Sequence, residues 1–172
     1  MFIKYIKEIS VKKILKRSIH NVKPTISASP IQSVGILIDE SYFKDIEQFT
    51  QEIVNKGIQR NSIKIIIYKD KIKKTDVVNN PTFSYKNMQW NGNFDADFVN
   101  EFIKTPFDML ISYYDVEKTP LLLVTHNSKA IFKVGMYNVD KRLNHLMINT
   151  VAENYVVFTQ ELFKYLKILK KI

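Results

Sequence analysis

Short apolar runs recur along this chain, and segments whose apolar residues repeat with helical spacing lie between them. The clearest runs are VGILI at 34–38, IKIIIY at 63–68 and FDMLISY at 107–113. Runs this short and this apolar are typical of strands that are buried on both faces of a parallel sheet. Because strands and helices alternate, the sequence predicts a mainly parallel sheet with helices on both of its faces.

Helical spacing is clearest in the last segment, where apolar residues from Tyr155 to Leu169 fall within one stripe. Another helix is predicted after the first run, through Phe49, with Gly57 as its natural stop. Segment 120–128 fits a strand or a helix, and we favour a helix because Pro120 suits the first turn. Further strands are predicted at 132–136 and 145–149, and an edge strand at 83–90.

The length of 172 residues is within the usual size of one domain. The predicted fold class is α/β: a single three-layer domain with a mainly parallel, Rossmann-like sheet of about five strands, preceded by a basic N-terminal helix. We place this helical arm at residues 1–23 and the α/β domain at residues 31–172. A loop or linker rich in Pro and Ser is predicted between them.

The N-terminal helix carries two apolar stripes on nearly opposite sides. The stripe changes face near Ser10, so we expect the helix to bend there or its two halves to contact different partners. The first stripe consists of Phe2, Ile3, Ile6 and Ile9, and the second of Val11, Ile14, Leu15, Ile19 and Val22.

Almost all of the net charge of +9 lies at the two ends of the chain. Residues 1–24 hold seven Lys and Arg against one Glu, residues 161–172 hold four Lys against one Glu, and the segment between them is neutral. A basic segment favours a polyanionic partner. It is equally consistent with a docked helix whose lysines only keep the protein in solution. The candidate polyanion-binding residues are Lys4, Lys7, Lys12, Lys13, Lys16 and Arg17.

Motifs for catalysis and cofactor binding are absent from the sequence. The four glycines form neither a G-x-G-x-x-G turn nor a P-loop, and we expect Gly35, inside the first strand, to allow close packing of a helix. The three histidines lack metal-ligand spacing, and there is no cysteine. We therefore predict no catalytic residue, no cofactor and no metal site.

Polar residues at the ends of the three best strands mark one place for a ligand site. Ligands of parallel sheets bind beyond the carboxyl ends of the strands, where the strand order reverses. Solvated turns produce the same pattern without any site. The candidate ligand-binding residues are Asp39, Glu40, Ser41, Asp70, Tyr113 and Asp115.

Targeting signals are also absent. No run approaches the roughly 20 apolar residues needed to span a bilayer, and lysines interrupt every apolar stretch of the N-terminus. The lack of cysteine fits a reducing compartment. We therefore predict a cytoplasmic protein.

Five blocks of sequence together resemble a known family. They are VGILIDESYF at 34–43, FDMLISYYD at 107–115, SKAIFKVGMY at 128–137, LNHLMINT at 143–150 and ELFKYLKIL at 161–169. The chain resembles an uncharacterised family of small α/β proteins from flavobacteria and related Bacteroidota. This resemblance implies a bacterial cytoplasmic protein, and it implies no activity and no site residue.

Two function hypotheses follow, and whether the protein is an enzyme stays open between them. The first is a non-enzymatic cytoplasmic binding protein whose basic terminal helices contact a polyanion, with RNA or the ribosome as the leading candidate, or an acidic protein. The alternative is a small-molecule-binding or enzymatic α/β domain with its site at the carboxyl ends of the parallel strands. A homo-oligomer closed by the first helix would explain the two opposed apolar stripes.

Overall fold

The computed structural model describes residues 2–22, 29–73, 75–76 and 79–172, with side chains from residue 5 onward. The predicted linker lies outside these residues except for its last two, Ser29 and Pro30. In the described residues, six strands and five α-helices alternate. The strands are β1 (Val34–Asp39), β2 (Ile63–Tyr68), β3 (Thr82–Phe83), β4 (Met109–Tyr113), β5 (Phe132–Met136) and β6 (Leu146–Ile148). The α-helices are α1 (Phe2–Ser18), α2 (Ile46–Asn55), α3 (Asp97–Lys104), α4 (Thr119–Asn127) and α5 (Tyr155–Ile168).

All neighbouring strands of the sheet run parallel, in the order β3-β2-β1-β4-β5-β6. This is the strand order of a doubly wound Rossmann-type sheet, and it reverses between β1 and β4. The α/β fold with a parallel sheet is therefore confirmed. The sheet has six strands rather than about five, because β3 adds a two-residue edge strand where a longer one was predicted at 83–90.

Two apolar cores cover the two faces of the sheet, as expected for three layers. Helices α2 and α5 pack on one face, through residues such as Phe49 and Leu162. Helices α1, α3 and α4 pack on the other, through residues such as Leu15, Phe102 and Leu121. The central strands β1, β4 and β5 are buried along their whole length, which explains why their sequences are mostly apolar.

Close packing explains the glycine inside β1. A Cβ atom at Gly35 would lie 2.7 Å from two ring carbons of Phe107 and 3.0 Å from the ring of Phe102 in α3. Such distances are shorter than van der Waals contact, so a larger residue at this position would displace the aromatic rings. The predicted packing role of Gly35 is thereby confirmed.

Candidate functional site

A buried ion pair occupies the point where the strand order reverses. Asp39 ends β1 and is 3% exposed, and its Oδ2 lies 2.7 Å from Nζ of Lys118, the residue that precedes α4. Asp70, two residues after β2, places its own Oδ2 2.9 Å from the same ammonium group. The structure thus brings together two of the predicted residues, Asp39 and Asp70, through a lysine that the sequence analysis did not single out.

Two aromatic rings and a serine complete what we call the Lys118 cluster. The Lys118 ammonium lies 4.6 Å from the ring centre of Tyr42 and 5.1 Å from that of Tyr68, within cation–π range. Ser41 links the two acidic residues, because its backbone N–H donates to Asp39 Oδ1 at 2.9 Å and its Oγ accepts from the backbone N–H of Asp70 at 3.2 Å.

The charges of this cluster stabilise one another. Burial acts to lower the pKa of Lys118, but the hydrogen bonds and charges of Asp39 and Asp70 outweigh it, so the pKa is raised. Burial acts to raise the pKa of Asp70, yet the hydrogen bond and charge of Lys118 lower it overall. Lys118 and Asp70 therefore stay ionised near neutral pH, and the contacts of Lys118 hold β1, β2 and α4 together at this edge.

Glu40 points away from the Lys118 cluster and joins a separate network. Its carboxylate lies 3.3 Å from Nζ of Lys69 and 3.8 Å from Nζ of Lys44, and Lys69 also contacts Asp76 at 3.4 Å. A cavity of about 210 Å³ adjoins this network, with Glu40, Lys44 and Lys69 in its wall. Of the six predicted ligand-binding residues, Glu40 alone lines this cavity.

Tyr113 and Asp115 form a third group, next to the loop that leads into α5. The Tyr113 hydroxyl donates to the carbonyl of Ala152, and Asp115 Oδ2 accepts from the backbone N–H of Ala152 at 3.3 Å. Burial raises the pKa of Tyr113, and its ring packs against Phe49 with centroids 4.2 Å apart. These two residues fix a loop to the sheet, so the six predicted residues separate into three groups.

Lys118 is the residue that sequence reasoning missed. The sequence contains a feature that could have identified it: Lys118 is the one basic residue between the end of β4 and the start of α4. In a doubly wound sheet that connection lies at the reversal of strand order, where a ligand or a charged group meets the ends of β1 and β4. In the described part of the chain, His, Asp and Glu side chains form no group of three that would hold a metal ion.

The N-terminal helix is docked on the second face of the sheet. Val11, Leu15 and Ile19 are at most 6% exposed and belong to the core that α3 and α4 share. Among the described side chains of the first apolar stripe, Ile6 and Ile9 are instead 39% and 49% exposed. Three residues of the second stripe are therefore buried in the domain, although its Ile14 is 40% exposed, whereas Ile6 and Ile9 of the first stripe face outward.

Four of the six predicted polyanion-binding residues are exposed on this docked helix. Lys12, Lys13, Lys16 and Arg17 form what we call the basic face of α1. Lys12 Nζ pairs with Glu8 at 2.9 Å. For the other three, no carboxylate within ion-pair distance is found among the described residues.

The two remaining predicted residues differ from these four. Lys7 is half-buried, with its Nζ 5.4 Å from the ring centre of Tyr85, and burial lowers its pKa. The side chain of Lys4 lies outside the described residues. Among the described side chains, the exposed basic residues of α1 lie in its C-terminal half.

Positive charge continues beyond α1, at the C-terminal end of α4. Burial lowers the pKa of His126, and the charges of Lys133, His20 and Lys129 lower it further. These four residues are therefore close enough for their charges to interact. The lowered pKa keeps His126 uncharged near neutral pH, so the positive charges at this end of α4 are those of Lys129 and Lys133.

A model of a family of unknown function, DUF6913, matches residues 7–169. The chain belongs to this family. The match includes most of α1 as well as all six strands, and it agrees with the resemblance to an uncharacterised family. No curated protein and no solved structure matches the chain. Among the described residues, no helix has the length and apolar character that crossing a membrane requires.

Proposed function

We propose that this DUF6913 chain is a cytoplasmic, non-enzymatic binding protein that holds RNA against the basic face of α1. One observation carries the proposal. Val11, Leu15 and Ile19 anchor the helix in the core, and this fixes Lys13, Lys16 and Arg17 on the outer side with no carboxylate partner among the described residues. Cations held in this way are available to the phosphates of a nucleic acid.

The position of Lys13 further supports a polyanionic partner, because the helix dipole accounts only for the two basic residues of the last turn. Lys16 and Arg17 lie in the last turn of α1, where they also interact favourably with the helix dipole. That interaction does not account for Lys13, which lies a turn earlier. Beyond the end of α4, the exposed Lys129 adds one more positive charge for phosphates to contact.

The strand order favours a second candidate, a small-molecule site at the carboxyl ends of β1 and β4. Against it stands Lys118, because its ammonium already forms ion pairs with Asp39 and Asp70 at the reversal point. A ligand there would have to displace a buried ion pair, which costs several kcal/mol or more. The basic face of α1 requires no such displacement, so RNA binding is the better supported function.

The test compares two triple variants with the same change in net charge. Lys13→Ala, Lys16→Ala and Arg17→Ala remove the three cations of the basic face that have no carboxylate partner among the described residues, whereas Lys56→Ala, Lys71→Ala and Lys167→Ala remove three exposed lysines elsewhere. Fluorescence anisotropy of a labelled 20-nucleotide RNA is measured from low to high salt. We expect the first variant to lose most of its affinity and to reduce the log–log salt slope by about 2, as three lost phosphate contacts imply.

Equal affinity of both variants for RNA would overturn the proposal, since a general charge effect would then explain the binding. Vesicles of anionic phospholipid and an acidic peptide serve as competing probes. Binding to either of these, with no binding to RNA, would assign the basic face of α1 to a different partner and would also overturn the proposal.

A further inference from the structure

A cavity lies where helices α3 and α4 both end, beside the loop that contains Asn93. Its volume is about 480 Å³, and its wall includes Lys104, the last residue of α3, and His126 and Asn127, the last two residues of α4. Small-molecule sites typically have volumes of about 300–1,000 Å³. The cavity therefore has room for an organic group as large as a nucleobase.

Three polar side chains in the wall of this cavity are available to a ligand. Asn93 is exposed, and His126 and Asn127 are half-buried, so none of the three is closed to solvent. Their side-chain nitrogen and oxygen atoms have no hydrogen-bond partner in the part of the chain that the structure describes. An amide has both donors and an acceptor, and a neutral imidazole has one of each. The wall thus offers donors and acceptors side by side.

Apolar groups lie next to these polar side chains. Phe94 is only 4% exposed, and its ring packs edge-on against Phe83 with centroids 5.6 Å apart. The Phe94 carbonyl accepts from Nδ2 of Asn100 at 2.8 Å, which ties the loop to α3. Half-buried Ile103 adds a second apolar side chain to the wall. Apolar surface beside donors and acceptors matches a nucleobase, which has flat apolar faces and a polar edge.

The charged residues in the wall are two lysines. Lys104 and Lys129 are both exposed, and neither lies within ion-pair distance of a carboxylate among the described residues. No described Asp or Glu lines the cavity. Because phosphates flank every base of a nucleic acid, lysines beside a base-sized cavity are well placed to contact them.

The cavity is also close to the end of α1. His20, two residues beyond this helix, is near enough to His126 for its charge to affect the pKa of that imidazole. Helices α1 and α4 belong to the same apolar core, so they lie on the same face of the sheet. An RNA strand on the basic face of α1 that continues past His20 therefore reaches this cavity.

We propose that the cavity binds one unpaired base of the RNA on the basic face of α1, which makes the ligand single-stranded. This inference rests on the proposed RNA binding. The side chains of Asn93, His126 and Asn127 contact the edge of the base, and Lys104 and Lys129 contact the neighbouring phosphates. A base in a duplex is paired at its edge and stacked on its faces, so it enters such a cavity only after it leaves the stack.

Fluorescence anisotropy with two labelled probes tests the proposal. One probe is a 20-nucleotide RNA without self-complementarity, and the other is its duplex with the complementary strand. Asn93→Ala with Asn127→Ala alters the cavity, whereas the control, Asn61→Ala with Asn138→Ala, removes two exposed amides elsewhere. We expect the cavity variant to bind the single strand about tenfold more weakly, as the loss of two hydrogen bonds implies, and to bind the duplex as the unaltered chain does.

The salt dependence separates the cavity from the basic face of α1. Amides are neutral and release no counterions, so the cavity variant should keep the log–log salt slope that the α1 triple variant reduces. The control should match the unaltered chain with both probes. Asn93 is exposed in a loop, so Asn93→Ala alone tests the cavity even where the double variant unfolds.

Equal binding of the single strand by the cavity variant and its control would overturn this inference and leave RNA binding by α1 in place. An equal loss for single strand and duplex would also overturn it, because the variant would then act on phosphate contacts or on the fold. Calorimetry with AMP adds a third result: AMP binding that only the cavity variant loses, with unchanged RNA binding, would assign the cavity to a free nucleotide. No binding of RNA by the unaltered chain would overturn both proposals.

Discussion

Lys118 Nζ lies 2.7 Å from the buried Oδ2 of Asp39, and this contact joins the loop before α4 to the end of the central strand β1. A carboxylate in such a place needs a cation, because transfer of an unpaired charge out of water is very costly. Asp70 and the rings of Tyr42 and Tyr68 surround the same ammonium group. The connection between β4 and α4 is therefore locked to the neighbouring strands by charge as well as by apolar contact.

Replacing Lys118 with methionine is expected to destabilise the protein strongly. The variant keeps most of the side-chain volume but leaves Asp39 buried without its cation, which typically lowers the free energy of unfolding by about 3–5 kcal/mol. Urea denaturation at neutral pH measures this loss. The double variant Lys118→Met with Asp39→Asn should regain part of the stability, because it removes the unpaired charge. A loss below about 1 kcal/mol in the single variant would contradict this account of the ion pair.

Because Lys133 is buried, we expect the free energy of unfolding to rise as the pH becomes alkaline. This lysine lies on β5, is 7% exposed, and donates from Nζ to the carbonyls of Thr125 and His126 at 2.7 and 3.2 Å, at the end of α4. Burial lowers the pKa of Lys133 to about 8, with a smaller effect from the charge of Lys129. Between this pKa and the higher one of an unfolded chain, the unfolded state binds more protons, so stability rises with pH.

We expect the free energy of unfolding to increase between pH 8 and 9.5, by up to about 1.4 kcal/mol per pH unit. Urea titrations at several pH values measure this slope. Lys133→Met should show a much smaller slope, together with a constant loss from the two carbonyls that it leaves without a donor. Parallel pH profiles for the two proteins would show that Lys133 does not titrate in this range.

The docking of α1 predicts a contrast between two adjacent residues. Leu15 is 4% exposed in the second core, whereas Ile14 is 40% exposed on the outer side of the helix. Leu15→Ala should lower the free energy of unfolding by about 2–4 kcal/mol, because it removes buried methyl groups and leaves a cavity. Ile14→Ala should change it by less than about 1 kcal/mol. Urea denaturation followed by circular dichroism compares the two, and equal effects would mean that the helix is not docked in solution.

Much of the fold was predictable because its signals are local. Strand β2 has the predicted bounds, 63–68, and β5 has the predicted bounds, 132–136, because each run is largely apolar, with a single lysine in it. The predicted helix after Pro120 is α4, with the proline in its first turn. The edge strand β3 was less accurately predicted. It consists of two residues that pair with β2, and a strand this short has no recognisable apolar pattern in the sequence.

The candidate sites were predictable only in part. The sequence predicted that Asp39, Asp70 and Asp115 lie at one edge of the sheet. It did not predict that they separate into different groups, because this depends on where the side chains point after each strand ends. The sequence also identified the cations of α1. It left open whether α1 packs on the domain, because an amphipathic helix uses the same apolar residues to pack on its own core or on a partner.

The sequence by itself determined the alternation of strands and helices, the neutrality of the central segment and the concentration of positive charge at the two ends. Only the tertiary structure decided which charges meet. Lys118 is 79 residues from Asp39 and 48 from Asp70 along the chain, and their contact follows from a strand order that brings β1 beside both β2 and β4. Backbone periodicity depends on near neighbours, whereas the pairing of buried charges depends on how distant segments pack.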